Sequence, residues 1–166
     1  MLDVKIRLNL KNLEKLSRRY PDISLSVREA KVTEALQLLE REVKINTPYG
    51  AGPVHLRDSI HSKTRIEGRR VAGFMGTPLE HGEPVELGTK PHFPPVDALQ
   101  HWVERVLRIE DDKRARSVAF AIARKISRRG TRGKKMFGKA FDENRSRVIA
   151  ILNEIPEAIV RRANRL

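Results

Sequence analysis

The chain has 166 residues, with 34 Lys and Arg against 21 Asp and Glu, which gives a formal net charge of +13. It contains no cysteine, so disulfide scaffolds, thiol nucleophiles and Cys-ligated metal centres are excluded. No apolar run is long enough for a transmembrane helix, and we expect neither a membrane span nor a secretory signal. The length favours a single folding unit.

The first part of the chain predicts a strand followed by two helices. Apolar residues alternate strictly over 2–10, which is typical of a half-buried strand. Apolar spacing over 13–16 predicts a short helix that ends before Pro21, because proline disfavours helical geometry in the preceding residue. An apolar stripe with three- and four-residue steps then predicts a long helix over 25–45, with Ser26 as its N-cap.

The middle of the chain predicts β structure. Strands are expected over 60–66 and 70–76, joined by a tight turn, and a third short strand is expected over 85–89. We expect 77–84 to form a loop. The proline-rich stretch 91–95 is incompatible with a central strand or a helix interior, so it is expected to be an extended connector.

The last part of the chain predicts three helices. The first covers 96–107 and carries Trp102 on its apolar stripe, so Trp102 is expected in the core, with a subunit interface as the alternative. The second follows the acidic stretch 110–112, because negative charge favours a helix N-terminus. After a flexible basic loop, the third is expected over 140–166, where Pro156 kinks or divides it.

Together these elements predict an α+β fold, in which a long helix packs on a small antiparallel sheet and a helical region follows. We expect residues 1–107 to form the α+β core domain. Residues 108–166 are expected to form a basic C-terminal helical extension that packs on this core within one folding unit.

The excess positive charge is concentrated in one segment. Residues 1–112 contain 18 basic and 17 acidic side chains, whereas 113–139 contain 11 basic side chains and no acidic one. Such a field attracts a polyanion or an acidic protein surface, although a merely solvated face is the alternative. Aromatic side chains interleaved with the basic ones, as single-strand binders require, are not expected here.

The stretch 130–135 of this basic segment, which contains two glycines, lacks the spacing of a phosphate-binding P-loop. It is expected either to hold phosphates as a basic loop or to be a mobile linker. No histidine pair or carboxylate cluster has catalytic or metal-ligand spacing, so we expect no enzyme activity, no metal site and no cofactor. Gly88 is expected to provide a special backbone angle, and Ser59 to order a loop-to-strand junction.

Three short motifs follow one another in the middle of the chain. They are Leu-Arg-Asp-Ser-Ile over 56–60, Val-Glu-Leu-Gly-Thr over 85–89, and Pro-His-Phe-Pro-Pro over 91–95. Their order resembles the tail-component proteins of long-tailed bacteriophages, which act in tail completion, tail termination and head–tail joining. This family includes relatives of the lambda minor tail protein Z group. The resemblance covers roughly 26–145.

The resemblance implies a structural virion protein that forms a ring, most simply a hexamer, at the head-proximal end of the tail. Its implied partners are further copies of itself, the tail tube protein, the head-completion or stopper protein, and viral DNA passing through the lumen. The implied location is the head–tail neck of the virion, and the host cytoplasm during assembly. The alternative function is nucleic-acid binding through the basic segment 113–139.

Two sets of candidate residues follow from these observations. The surface expected to face a partner or DNA is basic and consists of Arg124, Lys125, Arg128, Arg129, Arg132, Lys134 and Lys135. The family motif implies structural or subunit-contact roles for Leu56, Arg57, Ser59, Glu86, Gly88, Thr89 and Pro95.

Overall fold

The structure, a computed structural model, describes residues 13–48 and 55–165. The predicted strand over 2–10 lies outside these residues. In chain order the elements are α1 (Leu13–Arg19), α2 (Pro21–Asn46), β1 (His61–Glu67), β2 (Arg70–Gly76), α3 (Gly82–Leu87), β3 (Gly88–Thr89), α4 (Val96–Val106), α5 (Asp112–Arg129), β4 (Thr131–Arg132), α6 (Met136–Asn153) and α7 (Ile155–Ala163). The predicted α+β class is confirmed, with a long helix, a two-stranded antiparallel sheet and C-terminal helices.

The chain forms two compact units, each assembled from separate segments. The first comprises the described parts of Met1–Val43, Ile60–Gly76 and Phe137–Leu166, and the second those of Lys44–Ser59 and Thr77–Met136. The predicted division after residue 107 does not coincide with these units, because it falls inside the second one. Helices α4 and α5 lie on either side of that position and pack directly against each other.

In the first unit, α2 packs against the hairpin of β1 and β2. The hairpin register runs from His61 opposite Gly76 to Glu67 opposite Arg70. The carboxylate of Glu40 on α2 accepts hydrogen bonds from the backbone N–H and the hydroxyl of Ser62, at 2.8 and 2.6 Å. These bonds attach one edge of the hairpin to the helix, as the predicted fold class requires.

The same unit buries an apolar cluster between α2 and the C-terminal helices. Ala35, Leu39 and Val148 are buried together, and Met75 of β2 and Phe141 of α6 pack against them. The predicted last helix begins earlier than expected, at Met136, and is divided at Glu154. The division is explained by Pro156 in the first turn of α7, where a missing N–H costs least.

Helix α2 also begins earlier than predicted, at Pro21 instead of residue 25. Proline suits the first helical position because its fixed φ matches the helix. The prediction of Ser26 as the N-cap is therefore wrong. Ser26 lies within the helix, and its hydroxyl accepts a hydrogen bond from Arg162 of α7 at 3.0 Å.

In the second unit, α4 and α5 form a helical hairpin across the short connection 107–111. Val103 packs against Ala115 and Ala119, and all three are fully buried. The small alanine side chains let the two helix backbones approach closely. The carboxylate of Asp111 caps α5 by accepting a hydrogen bond from the backbone N–H of Arg114 at 2.7 Å, as the acidic stretch predicted.

The segment before this hairpin corrects one prediction. Residues 82–87 form helix α3, and only Gly88–Thr89 of the predicted strand over 85–89 is extended. Proline at position 84 and glycine at position 82 are compatible with a single first helical turn, which alternation alone does not distinguish from a strand. Within the described residues, no helix combines the length and apolar character needed to cross a bilayer.

Replacement of Ala119 by Leu is expected to destabilise the helical hairpin, because a fully buried position has no room for a larger side chain. We expect a loss of about 1–3 kcal/mol in the free energy of unfolding, measured by urea denaturation. Ala121→Leu on the exposed side of the same helix is the matched control, with an expected change within about 0.5 kcal/mol. Equal losses for both variants would contradict the observed packing.

The Nζ atom of Lys31 lies 2.6 Å from a carboxylate oxygen of Glu154 and 2.9 Å from one of Glu34. The hydrogen bond from Lys31 lowers the pKa of Glu154, and the bonds to both carboxylates raise the pKa of Lys31. A carboxylate with a lowered folded-state pKa contributes stability at neutral pH that is lost as the pH falls through that pKa. The raised pKa of Lys31 likewise implies a contribution that is lost in strong alkali.

Glu154→Gln is therefore expected to lower the melting temperature at pH 7. The difference from the wild type is expected to shrink steadily as the pH falls below the ordinary pKa of a glutamate, because both proteins then lack the charge. Thermal melts across acid pH measure this difference. Glu157→Gln, at an exposed position in the first turn of α7, is the control. A difference that stays constant with pH would contradict an electrostatic origin.

Candidate interaction surface

The basic residues of the second unit form an uncompensated charged surface. We define the basic surface by its ten members, all exposed: Lys113, Arg114, Arg116, Arg124, Lys125, Arg128, Arg129, Arg132, Lys134 and Lys135. Over residues 13–48 and 55–165, no ion pair involves any of these ten side chains. The eleventh basic residue of the segment, Lys139, belongs to the first unit and lies 3.8 Å from Glu143.

All seven predicted partner-facing residues therefore lie in solvent on one unit. Arg124, Lys125, Arg128 and Arg129 occupy the C-terminal half of α5, where positive charge is favoured by the helix dipole. Arg132, Lys134 and Lys135 follow on β4 and the turn after it. Because no acidic side chain neutralises them, they remain available to an anionic partner.

The predicted flexible loop over 130–133 is instead held by backbone hydrogen bonds. Gly88 pairs with Arg132 and Thr89 with Thr131 in an antiparallel bridge. The backbone N–H of Lys134 donates to the carbonyl of Val85 at 2.7 Å, and that of Lys135 to the carbonyl of Glu86 at 3.0 Å. This paired backbone replaces the flexible loop or mobile linker that was expected, and the alternative that the loop holds phosphates stays a prediction. The pairing joins the Val-Glu-Leu-Gly-Thr motif to the basic segment.

Glycines make this close pairing sterically accessible. Gly88 and Gly130 have backbone φ values of 84° and 64°, which residues with a side chain rarely adopt. A Cβ atom at Gly130 would overlap the carbonyl oxygen of Thr89, and one at Gly133 would overlap that of Glu86. The predicted special backbone angle at Gly88 is confirmed, and Gly130 and Gly133 have equally specific roles.

Side chains add to the attachment. The hydroxyls of Thr89 and Thr131 are hydrogen-bonded at 3.0 Å, and the backbone N–H of Thr131 donates to the Thr89 hydroxyl at 3.1 Å. Glu86 is buried on α3, directly before this pairing, and its neighbour Leu87 is 59% exposed. The motif over 85–89 therefore combines a buried carboxylate, an exposed apolar side chain and a backbone clamp.

The Leu-Arg-Asp-Ser-Ile motif begins elsewhere in the same unit, where its side chains form several hydrogen bonds. Leu56 is buried, and the hydroxyl of Ser59 donates to its carbonyl at 2.8 Å. The hydroxyls of Ser59 and Thr77 are 2.6 Å apart, which confirms the expected ordering role of Ser59. Arg57 donates to the carbonyl of Thr47 at 3.0 Å. Pro95, from the third motif, precedes the first residue of α4.

The structure reveals an aromatic pair that the sequence analysis missed. The rings of Phe93 and Phe120 meet edge to face, with centroids 6.0 Å apart and planes inclined by 62°. Both side chains are about half exposed, at 53% and 52%. Phe120 lies on α5 one turn from both Arg116 and Arg124, so the expectation of no interleaved aromatic residue is wrong.

Trp102 also differs from its prediction as a core residue. Its side chain is 36% exposed, because the buried direction of α4 passes through Val103 and leaves Trp102 on the flank. The stated alternative, a subunit interface, stays a prediction. Val103 is the one buried residue of α4, and the other apolar residues of the stripe lie at its edges, which the sequence alone does not reveal.

No protein-family model, no curated protein and no solved structure matches this chain. The resemblance to phage tail components therefore rests on the three sequence motifs alone and stays a prediction. Among the residues described, no cluster of His, Asp and Glu of the kind that binds metal ions is present. The site is defined instead by unpaired positive charge, a rigid backbone clamp and exposed apolar side chains.

Gly130→Ala is expected to destabilise the second unit by more than the usual cost of alanine at a glycine with positive φ. A residue with a side chain in the left-handed region costs about 1–2 kcal/mol, and the overlap with Thr89 adds to that cost. Gly68→Ala is the matched control, because Gly68 has a φ of 59° with no atom within 4 Å of its added Cβ. Equal losses in urea denaturation would contradict the tight pairing.

Proposed function

We propose that the protein is a structural component of a bacteriophage virion that forms a ring, most simply a hexamer, at the head–tail neck. In this role it completes or terminates the tail and joins it to the head. Its partners are the tail tube protein and the head-completion or stopper protein, with viral DNA in the lumen. It assembles in the host cytoplasm and functions in the virion, without catalysis or a cofactor.

One observation carries the proposal. The Val-Glu-Leu-Gly-Thr motif and the basic segment are separated by about forty residues in the sequence, yet they are bonded backbone to backbone. A motif that suggests a tail component and a charge that suggests an anionic partner are thus parts of one local structure.

The exposed aromatic pair favours a second candidate function, nucleic-acid binding. Aromatic rings beside arginines supply stacking and charge together, as in proteins that bind single strands. Its test is the salt dependence of DNA binding by the isolated protein. A protein that binds single strands in this way is expected to lose affinity steeply with salt, by a log–log slope of about −0.7 for each phosphate contacted. A shallow slope with weak affinity would exclude this function.

Deletion of the gene from its phage or prophage is the direct test of the neck role. Electron microscopy of the resulting particles is expected to show overlong tubes if the protein terminates the tail. Filled heads beside detached tails of normal length are expected if it completes or joins the tail. Normal, infectious particles would overturn the proposal and leave the basic surface as a nucleic-acid site.

Charge reversal of Arg128, Arg129 and Arg132 together is expected to abolish infectivity, because like charges at an interface cost several kcal/mol. The plaque titre of a complemented deletion strain measures the effect, with an expected loss of several orders of magnitude. Reversal of three exposed arginines of the first unit is the control with the same change in net charge: Arg145, Arg161 and Arg165. Full titre from the first variant would exclude a role for the basic surface.

A further inference from the structure

The β1–β2 hairpin has one face against α2 and one face in solvent. Successive side chains of a strand point to opposite sides, so alternate residues share a face. On one side, the hydroxyl of Ser62 is bonded to Glu40 of α2. A Cβ atom at Gly73 on the same side would meet the side chain of Leu36, also of α2. We call the opposite side the outer face, and its residues are His61, Lys63, Arg65, Glu67, Arg70, Ala72, Phe74 and Gly76.

The outer face is exposed and basic. All of its residues except Ala72 are exposed. With the turn included, residues 61–76 contain one acidic side chain, Glu67, and four basic ones: Lys63, Arg65, Arg69 and Arg70. Arg65 lies 3.7 Å from Glu67, whereas the other three basic residues form no ion pair within the part of the chain that the structure describes. The near balance of charge over 1–112 conceals this local excess.

A further arginine lies at the turn of the hairpin. The guanidinium of Arg28 on α2 donates to the backbone carbonyl of Arg69 at 2.7 Å and to that of Ser24 at 3.1 Å. Burial and, to a smaller extent, the positive charge of Arg69 lower the pKa of Arg28. Neither guanidinium has an ion pair among the described residues, so an anion bound at the turn would offset their repulsion.

Phe74 is the one aromatic residue of the hairpin. Its ring is 44% exposed, and the guanidinium of Arg65 lies over it, 5.3 Å from the ring centroid. This cation–π contact holds the Arg65 charge on the outer face. It also occupies one face of the ring. The outer face therefore lacks the series of free stacking surfaces that proteins use to bind single strands.

We infer that the outer face of the hairpin binds duplex DNA, and that Lys63, Arg65 and Arg70 contact its phosphates. Arg69 and Arg28 extend this contact at the turn. A two-stranded ribbon is narrow enough to enter the major groove, which is about 12 Å wide, so its side chains can reach the phosphates that line it. The inference goes beyond the neck role, because it assigns DNA to a surface of the first unit and does not require a ring.

An acidic protein fits the outer face less well than DNA does. The centre of a stable protein interface is depleted of charged residues, whereas Lys63 and Arg65 lie beside the middle of β1. Phe74 is the single large apolar side chain on this face. Duplex DNA instead presents one negative charge for about every 1.7 Å of its axis, which can neutralise several unpaired cations at once.

The absence of native cysteine allows the contact to be located directly. Gly76→Cys places a thiol on the outer face without changing a charge, at a position where an added Cβ meets no atom within 4 Å. Reaction of the purified full chain with a maleimide is measured with and without a short DNA duplex of mixed sequence. We expect the duplex to slow labelling at position 76 several-fold. Ala150→Cys, at an exposed position on α6, is the control and is expected to react unchanged.

Neutralising variants test the charges themselves. Lys63→Gln combined with Arg70→Gln removes one unpaired cation from each strand, and duplex binding is followed by fluorescence anisotropy over a range of salt concentrations. We expect the log–log salt slope to decrease in magnitude by about 1.8, because each lost phosphate contact contributes about 0.9. Arg145→Gln combined with Arg161→Gln, both exposed in the first unit, changes the net charge equally and is expected to preserve the slope. Thermal melts verify that all variants fold.

Four outcomes would overturn the inference. Equal slope changes in the two double variants would indicate diffuse attraction by net charge, and unchanged labelling at position 76 would exclude a contact there. Stronger protection by a single strand of the same length would assign the face to unpaired DNA, and stronger protection by polyglutamate would assign it to an acidic protein. These measurements use purified protein, so they can fail while the gene deletion supports a neck role, or the reverse.

Discussion

The backbone pairing between 85–89 and 131–135 is the constraint on which the position of the residues after α5 depends. Two carbonyls of α3 accept hydrogen bonds from Lys134 and Lys135, and β3 pairs with β4. The pairing is possible only because Gly88, Gly130 and Gly133 have no Cβ atom to obstruct the opposite backbone. It converts a stretch of glycines and basic residues, which would otherwise have high conformational entropy, into a fixed support.

A fixed support changes what the charges can do. Basic side chains on a mobile loop bind a partner only after the loop is ordered, and the ordering costs free energy at that moment. Here the backbone of Arg132 and its neighbours is already positioned, beside the rigid C-terminal turn of α5. The same reasoning applies to Phe120, whose ring is oriented by Phe93 before any partner arrives. Such preorganised surfaces favour defined protein contacts over diffuse attraction.

Much of the fold could be predicted because its signals are local. The β1–β2 hairpin, helix α4, the capped start of α5 and the division of the last helix each follow from a few neighbouring residues. Errors arose where local signals were ambiguous or incomplete. Alternation over 85–89 fits a strand as well as the single turn of α3, and Ser26 fits a cap although Pro21 begins the helix sooner. The division into units could not be predicted, since it depends on packing between distant segments.

At the candidate site, too, features set by neighbouring residues were predictable and features set by packing were not. Its charge was evident from 113–139 alone, because side-chain charge is a property of composition and proximity in the chain. The exposure of Trp102 and the meeting of Phe93 with Phe120 were not evident, because they depend on which flank of a helix its neighbour covers.

By itself the sequence determined the longer helices, the β1–β2 hairpin and the location of the positive charge, whereas the resemblance of three motifs to phage tail components stays a prediction. Only the tertiary structure decided that one of those motifs is bonded to the basic segment and that Phe120 and Trp102 remain exposed. The physical reason is range. Helix period, proline geometry and charge act between near neighbours, whereas backbone pairing across forty residues depends on the packing of the whole unit.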